Sequence, residues 1–187
     1  GRIFKGTHLL MAVGRKANTD RLNLDAAGIE TTKRGIKVDA SMRTTNRRVY
    51  AIGDVAGGLQ FTHMAGYHAG LIIRQALLGL PAKERTDHIP WATYTDPEIA
   101  HVGLTEEVAR KKHGGNLDVV RFHYNHNDRA IAERKTDGLI KVMVVRGRPV
   151  GASIAGAQAG ELINLWAFIL ANGFKMKHVA NMVAPYP

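Results

Sequence analysis

"VYAIGDVAGG", residues 49–58, is an apolar run of strand character that stops on Gly53 and Asp54, with Gly57 and Gly58 just beyond. In open α/β sheets, ligands bind outside the carboxyl ends of buried strands, so a carboxylate at that point has a physical use. Asp54 can accept hydrogen bonds from ligand hydroxyls, while the glycines let the backbone come close to the same ligand. The competing role for Asp54 is to cap the turn that follows. Directly downstream, "FTHMAGYHAGLIIRQALLG", residues 61–79, has helical spacing and ends at Gly79 with Pro81 beyond it. The backbone N–H groups near Thr62 and His63 open that helix, and a helix N-terminus favours negative charge in front of it.

Outward from this core, "THLLMAVG", residues 7–14, predicts a strand buried on both faces of a sheet. The polar stretch between the two runs predicts a surface loop with one short extended piece at Gly35 to Val38. On the other side, "LPAKERTDHIP", residues 80–90, is charged, contains two prolines and predicts a domain boundary. Past it, "WATYT", "IAHVG", "LDVVRFHY", "GLIKVMVV" and "VGASIAG" read as strands, the last two joined as a hairpin by "RGRP". About four antiparallel strands are expected in this half. Thr105, Glu106 and Glu107 open a helix "EEVARKKH" with acids first and bases last. The spacing of "GELINLWAFILANG", residues 160–173, predicts a helix with Leu162, Leu165, Trp166, Ile169 and Leu170 on its apolar stripe and Ile163 and Phe168 off it. So apolar a helix is buried either in a core or against another chain, and the latter would make this half an oligomerisation domain.

A chain of 187 residues with 45% hydrophobic content can build a real core. The net charge of +10 suits an anionic partner. The basic residues, however, fall in small separate groups (Arg47 and Arg48; Arg110 to Lys112; Arg146 and Arg148; Lys175 and Lys177) with little aromatic interleaving, so no nucleic-acid face is expected. No apolar stretch approaches the roughly 20 residues of a membrane span, and no signal-peptide pattern opens the sequence; a cytoplasmic protein is expected. With no cysteine, these residues carry no disulfide, zinc-thiolate or thiol chemistry of their own. The first residue is Gly1 rather than Met, and the first strand has no preceding element to pair with, which reads as an internal piece of a longer protein.

The motifs "HLLMAVGRKANTD", "VYAIGDVAG", "FTHMAGYHAG", "TYTDPEIAHVGLTE" and "GELI", in this order, resemble the flavin-dependent pyridine nucleotide-disulfide oxidoreductases, the family of dihydrolipoamide dehydrogenase, glutathione reductase and mercuric reductase. The resemblance implies an α+β fold in which residues 1–80 are the C-terminal part of a Rossmann-like FAD-binding domain. Residues 88–187 would be an interface domain, an antiparallel sheet with helices, forming a homodimer. It implies FAD as cofactor, with Asp54 on the ribityl chain and the helix start pointing at the flavin pyrimidine. On the same ground Gly14, Arg15, Gly53, Phe61, Thr62, His63 and Ala65 are expected cofactor contacts, although His63 could equally serve in N-terminal packing. The family's first glycine fingerprint, its NAD(P)H-binding insertion and its redox cysteine pair have no counterpart in these residues. Electron transfer from NAD(P)H to a small-molecule disulfide or metal-ion substrate is therefore expected of a parent protein, and not of this stretch alone. A non-catalytic dimerisation module is the alternative.

Family members that act on disulfides carry a histidine before a proline at the matching C-terminal position, whereas "VAPYP" has Tyr186 followed by Pro187. A phenol is a poor general base at neutral pH. The variant resembles the mercuric reductase branch, in which a tyrosine near the partner's cysteines helps hold the metal; Tyr186 is the expected catalytic residue. His123 and His126 in "FHYNH" have no carboxylate at a helical ligand spacing, and no metal ligand set is read there. His63 and His68, five apart, point to different faces of a helix. Glu161 is expected to stabilise the N-terminus of its helix, and Arg129 matches a recurrent family position without an assigned chemistry.

Overall fold

The structure, a computed structural model, describes residues 2–186. The chain divides into two compact units, Gly1–Glu84 and Arg85–Pro187.

In the first unit, β1 (Thr31–Thr32) and β2 (Gly35–Ile36) form a small antiparallel hairpin. Its Gly35 lies so close to the Val55 carbonyl that a side chain would collide. An isolated bridge joins Arg43 and Tyr50. A short 3₁₀ turn spans Gly53–Ala56, and the helix α1 spans Thr62–Ala76. Ile29, Ile36 and Ala51 form a small core with Leu24, Val38, Val49 and Val55 packed on it. Met64, His68 and Leu71 are the buried face of α1.

Two expected strands do not form. Residues 7–14 lie outside any strand, with Leu9 84%, Leu10 87% and Val13 87% exposed. "RVYAIGD", residues 48–54, makes only the bridge at Tyr50 before entering the 3₁₀ turn. Both segments have the composition of doubly buried strands. A strand, however, exists only where a neighbour completes its backbone hydrogen bonds, and no such neighbour lies among the described residues.

The second unit is built on a fully antiparallel sheet: β3 (Trp91–Thr93), β4 (Glu98–Gly103), β5 (Leu117–His123), β6 (Leu139–Val145) and β7 (Arg148–Gly156), in the order β3-β4-β7-β6-β5. Its five strands fall on the five segments that read as strands, so the expected count of about four is one short. Arg146 and Gly147 both have positive φ, the geometry a tight hairpin needs to follow the strand twist, and they join β6 to β7. The helix α2 (Glu106–His113) coincides with the expected segment, and its Thr105 side chain accepts the Val108 N–H at 3.3 Å. A short α3 (Asp128–Ala132) is capped by Asn127. The unit closes with α4 (Ala159–Asn172) and α5 (Met176–Ala180).

α4 packs on β3, β4 and β7 and buries Ala159, Ile163, Ile169 and Leu170 against a core that includes Ala100, Val102, Ala152 and Ile154. The expected stripe is therefore rotated: Ile163, placed off it, is 2% exposed, whereas Leu162 and Leu165 are 41% and 38% exposed. With Phe168 at 58%, these side chains form an apolar outer face.

Candidate functional site

The first unit gathers most of the expected site residues around one turn. Gly53 is buried with φ of +69°, in the left-handed region, and a Cβ there would lie 3.1 Å from Cβ of Ala65. Only a glycine lets the chain reverse this close to α1. Asp54 is the next residue, and its carboxylate is about half exposed at 46%. Arg15 reaches it from the other side, with Nη1 3.4 Å from Asp54 Oδ2 and 2.8 Å from the Gln60 carbonyl. An open pocket of about 430 Å³ lies here, lined by Arg15, Asp54, Val55 and Gln60 among others. At this exposure the ion pair contributes little to stability, about 0–1 kcal/mol, so a ligand can displace it at small cost.

The start of α1 faces outward from the same loop. Its N-cap residue, Phe61, provides no side-chain hydrogen bond. The N–H groups of Met64 and Ala65 turn back to the Phe61 carbonyl at 3.0 and 3.3 Å, leaving those of Thr62 and His63 without a hydrogen bond among the described residues. The Phe61 and His63 rings stack with centroids 5.0 Å apart and an 11° interplanar angle, a flat aromatic pair beside the helix mouth. Ala65 packs its methyl against the Gly53 turn. Gly14, with φ of +137° and no neighbour within 4 Å of a would-be Cβ, precedes Arg15 on the exposed chain.

These groups fit a ligand that combines hydroxyls with an electron-poor ring. A half-exposed carboxylate accepts from hydroxyls, an uncapped helix start favours negative charge, and the Gly53 turn leaves no side chain in the way.

His68, which the sequence places on a different helix face from His63 without assigning it a role, ties this turn down. It is 1% exposed, accepts the Gly53 N–H on Nδ1 at 3.0 Å and has Nε2 2.9 Å from Glu84 Oε1. Its one legible signal is a histidine in the middle of an otherwise apolar helix face.

The second unit carries Tyr186. Its side chain is 82% exposed, and its hydroxyl donates to Asp128 Oδ2 at 2.9 Å. That bond to a carboxylate, with the negative charge behind it, raises the phenol above its ordinary value and holds it protonated. Pro187, its expected companion, lies outside the described residues. A cavity of about 320 Å³ opens near this tail between Phe122, Tyr124, Arg129, Glu133, Leu162 and Pro185. Arg129 is engaged in an ion pair with Glu133 at 2.5 Å. The N-terminus of α4 is held by Glu98, whose Oε2 accepts the Gly160 N–H at 2.8 Å from 62 residues away, while Glu161 sits exposed in the first turn. The ring of His126 lies 6.1 Å from that of Phe122. His101 is buried, with Nδ1 at 2.9 Å from Ser153 Oγ and Nε2 at 2.9 Å from the Gly103 carbonyl, and burial lowers its pKa.

Comparison with known proteins gives the same order of parts. The family described as "Pyridine nucleotide-disulphide oxidoreductase, dimerisation domain" matches residues 89–187, and "Pyridine nucleotide-disulphide oxidoreductase" matches residues 1–69. A dihydrolipoyl dehydrogenase of Bacillus subtilis is 34% identical over 185 residues, covering 98% of this chain and 40% of the relative. A mercuric reductase of Bacillus cereus is 36% identical over 188 residues, covering 99% of this chain and 30% of the relative. Among solved structures, LpdA from Mycobacterium tuberculosis superposes with a TM-score of 0.91 at 28% identity, covering all of this chain and 41% of that one. The HOCl-induced flavoprotein disulfide reductase RclA from Escherichia coli gives a TM-score of 0.82 at 31% identity, covering 94% of this chain and 41% of its own. The chain thus spans 30–40% of the length of these two curated relatives.

Proposed function

The chain belongs to the pyridine nucleotide-disulfide oxidoreductases, and from that premise we propose that it is the C-terminal portion of a homodimeric, cytoplasmic flavoprotein that oxidises NAD(P)H. Residues 1–80 would complete an FAD-binding domain and residues 88–187 would form the dimer interface.

The observation that carries this reading is the convergence of Asp54, Arg15 and the uncapped start of α1 on one glycine-built turn. Asp54 would bind the ribityl hydroxyls of FAD, its carboxylate taking their hydrogen bonds in exchange for the weak Arg15 contact. Thr62 and His63 would present their N–H groups to the pyrimidine side of the flavin ring, where negative charge accumulates on reduction. Phe61 and His63 would supply an apolar wall, and Gly14 and Gly53 would keep side chains off the cofactor. FAD, when bound, supplies the two-electron chemistry that passes reducing equivalents from a nicotinamide to an acceptor. No helix among the described residues is long and apolar enough to cross a membrane.

The outer face of α4 supports the dimer. Leu162, Leu165 and Phe168 line up in solvent on a helix whose opposite side is already buried in its own core. A second copy of the chain is the occupant that a dimerisation domain calls for. Tyr186 would face the acceptor, a small-molecule disulfide or a metal ion. Its protonated hydroxyl is suited to donating a hydrogen bond and unsuited to acting as a base at neutral pH.

The test is to purify the intact protein and record its absorbance spectrum and NAD(P)H oxidation. A flavin spectrum is expected, and Asp54→Ala is expected to lower FAD occupancy while leaving the dimer intact. A colourless protein that takes up no added FAD refutes the reading.

A further inference from the structure

The ring of His68 is almost entirely buried, yet both its nitrogens are used. The Gly53 N–H donates to Nδ1 at 3.0 Å, so Nδ1 carries the lone pair and the ring proton resides on Nε2. From there it donates to Glu84 Oε1 at 2.9 Å. Glu84 is itself anchored, its own N–H donating to the Ala40 carbonyl at 2.7 Å. A leucine would fill the same space in α1, so packing alone does not account for a histidine with two directed bonds. The one backbone donor that His68 serves belongs to the residue immediately before Asp54.

We propose that His68, oriented by Glu84, is a positioning residue that fixes the Gly53–Asp54 turn in the geometry in which Asp54 receives the cofactor. The inference rests on the cofactor reading of Asp54 given above. Gly53 sits in the left-handed region, a conformation that glycine adopts without steric penalty but also leaves easily, because it has many alternatives. Its N–H is the handle by which the fold selects one of them. Releasing that handle frees the Ile52–Gly53 peptide and with it the rotation about the Gly53 N–Cα bond, so that Asp54, the next residue, shifts its carboxylate. Glu84 holds the ring from behind: with Nε2–H committed to the carboxylate, the tautomer that leaves Nδ1 free to accept is the one retained.

The test uses the intact protein and two readouts, hydrogen exchange at the Gly53 amide of the apo form and the dissociation constant for FAD. His68→Leu keeps the volume and removes the acceptor; exchange at Gly53 is expected to accelerate at least tenfold and FAD to bind about tenfold more weakly. His68→Asn places an amide oxygen where Nδ1 stood and is expected to recover most of both effects, which a residue needed only for packing would not do. Should His68→Leu fail to fold, Glu84→Ala removes the outer support alone and is expected to shift both readouts in the same direction, by about threefold. Unchanged exchange at Gly53 in these variants overturns the proposal, and so does faster exchange with unchanged FAD affinity, which leaves the Asp54 reading standing. A wild-type protein that binds no FAD at all removes the Asp54 reading and this role with it.

Discussion

Substituting Gly53 by alanine tests the turn on which the cofactor reading stands. The added methyl meets two separate obstacles. With φ at +69° the residue occupies a backbone region that costs an L-residue about 1–2 kcal/mol. The methyl would also lie 3.1 Å from Cβ of Ala65, closer than carbon atoms pack at optimal separation, which adds an overpacking cost of about 1 kcal/mol. Together these give a local destabilisation of about 2–3 kcal/mol, a factor of roughly 30–150 in the opening equilibrium. Gly58→Ala is the matched control. It lies in the same loop, has no positive φ and meets nothing within 4 Å, so its effect should stay within about 0.5 kcal/mol. Tryptophan fluorescence is blind to this comparison, because both tryptophans, Trp91 and Trp166, belong to the second unit. Hydrogen exchange of the α1 amides reads it directly, and FAD titration reads its consequence. Exchange in Gly53→Ala indistinguishable from that in Gly58→Ala would show that the turn is not set as described and would refute the reasoning.

Phe168→Glu puts a charge on the outer face of α4 and should convert the proposed dimer to monomer in sedimentation, weakening self-association at least ~100-fold (about 2.7 kcal/mol) with helix content unchanged; a variant that self-associates as the wild type does places the interface elsewhere. Glu106 is held at about 2, well below its ordinary 4.5, first by the hydrogen bond from Arg110 and then by Lys141, with the charges of Lys141 and Arg121 adding to them. Because the folded value is the lower one, this stabilisation is complete above about pH 4.5 and is lost as the pH falls through about 2. The stability gap between wild type and Glu106→Gln should therefore shrink between those values in acid titrations followed by circular dichroism, and a constant gap contradicts the assignment. Glu98→Ala leaves the Gly160 N–H without its acceptor and should cost about 1 kcal/mol, some 4–8 °C in melting temperature for a unit of about 100 residues, while Glu98→Gln keeps an oxygen in place and should lose less.

How far the sequence could be read depends on the range over which each feature is determined. α2 follows its expected span because its determinants, the Thr105 cap, two acids in the first turn and four basic residues in the last, lie within the helix itself. The β6–β7 hairpin is similarly local, since Arg146 and Gly147 set the turn and the apolar runs on either side have only to fold back. Asp54 and the start of α1 are also close in sequence, and one glycine-rich loop brings both to the same edge. Strand character in residues 7–14 and 48–54 is different in kind. Composition states that these segments suit burial between neighbours, but no strand among the described residues pairs along them, and Leu9 and Leu10 stay in solvent. α4 shows a third case. With apolar residues almost all round, several stripes satisfy helical spacing equally well, and the choice between Ile163 and Leu162 as the buried side is made by the sheet, whose Ala100, Ala152 and Ile154 meet one face only. The Glu84–His68–Gly53 chain had the weakest signal because its two links join residues 15 and 16 apart in sequence: periodicity cannot see a hydrogen bond, and a single buried histidine looks like any other core residue until its two partners are known. The local features thus identify where the Gly53–Asp54 turn lies, while the hydrogen bonds that link it to His68, and His68 to Glu84, are contacts that only the folded chain brings together.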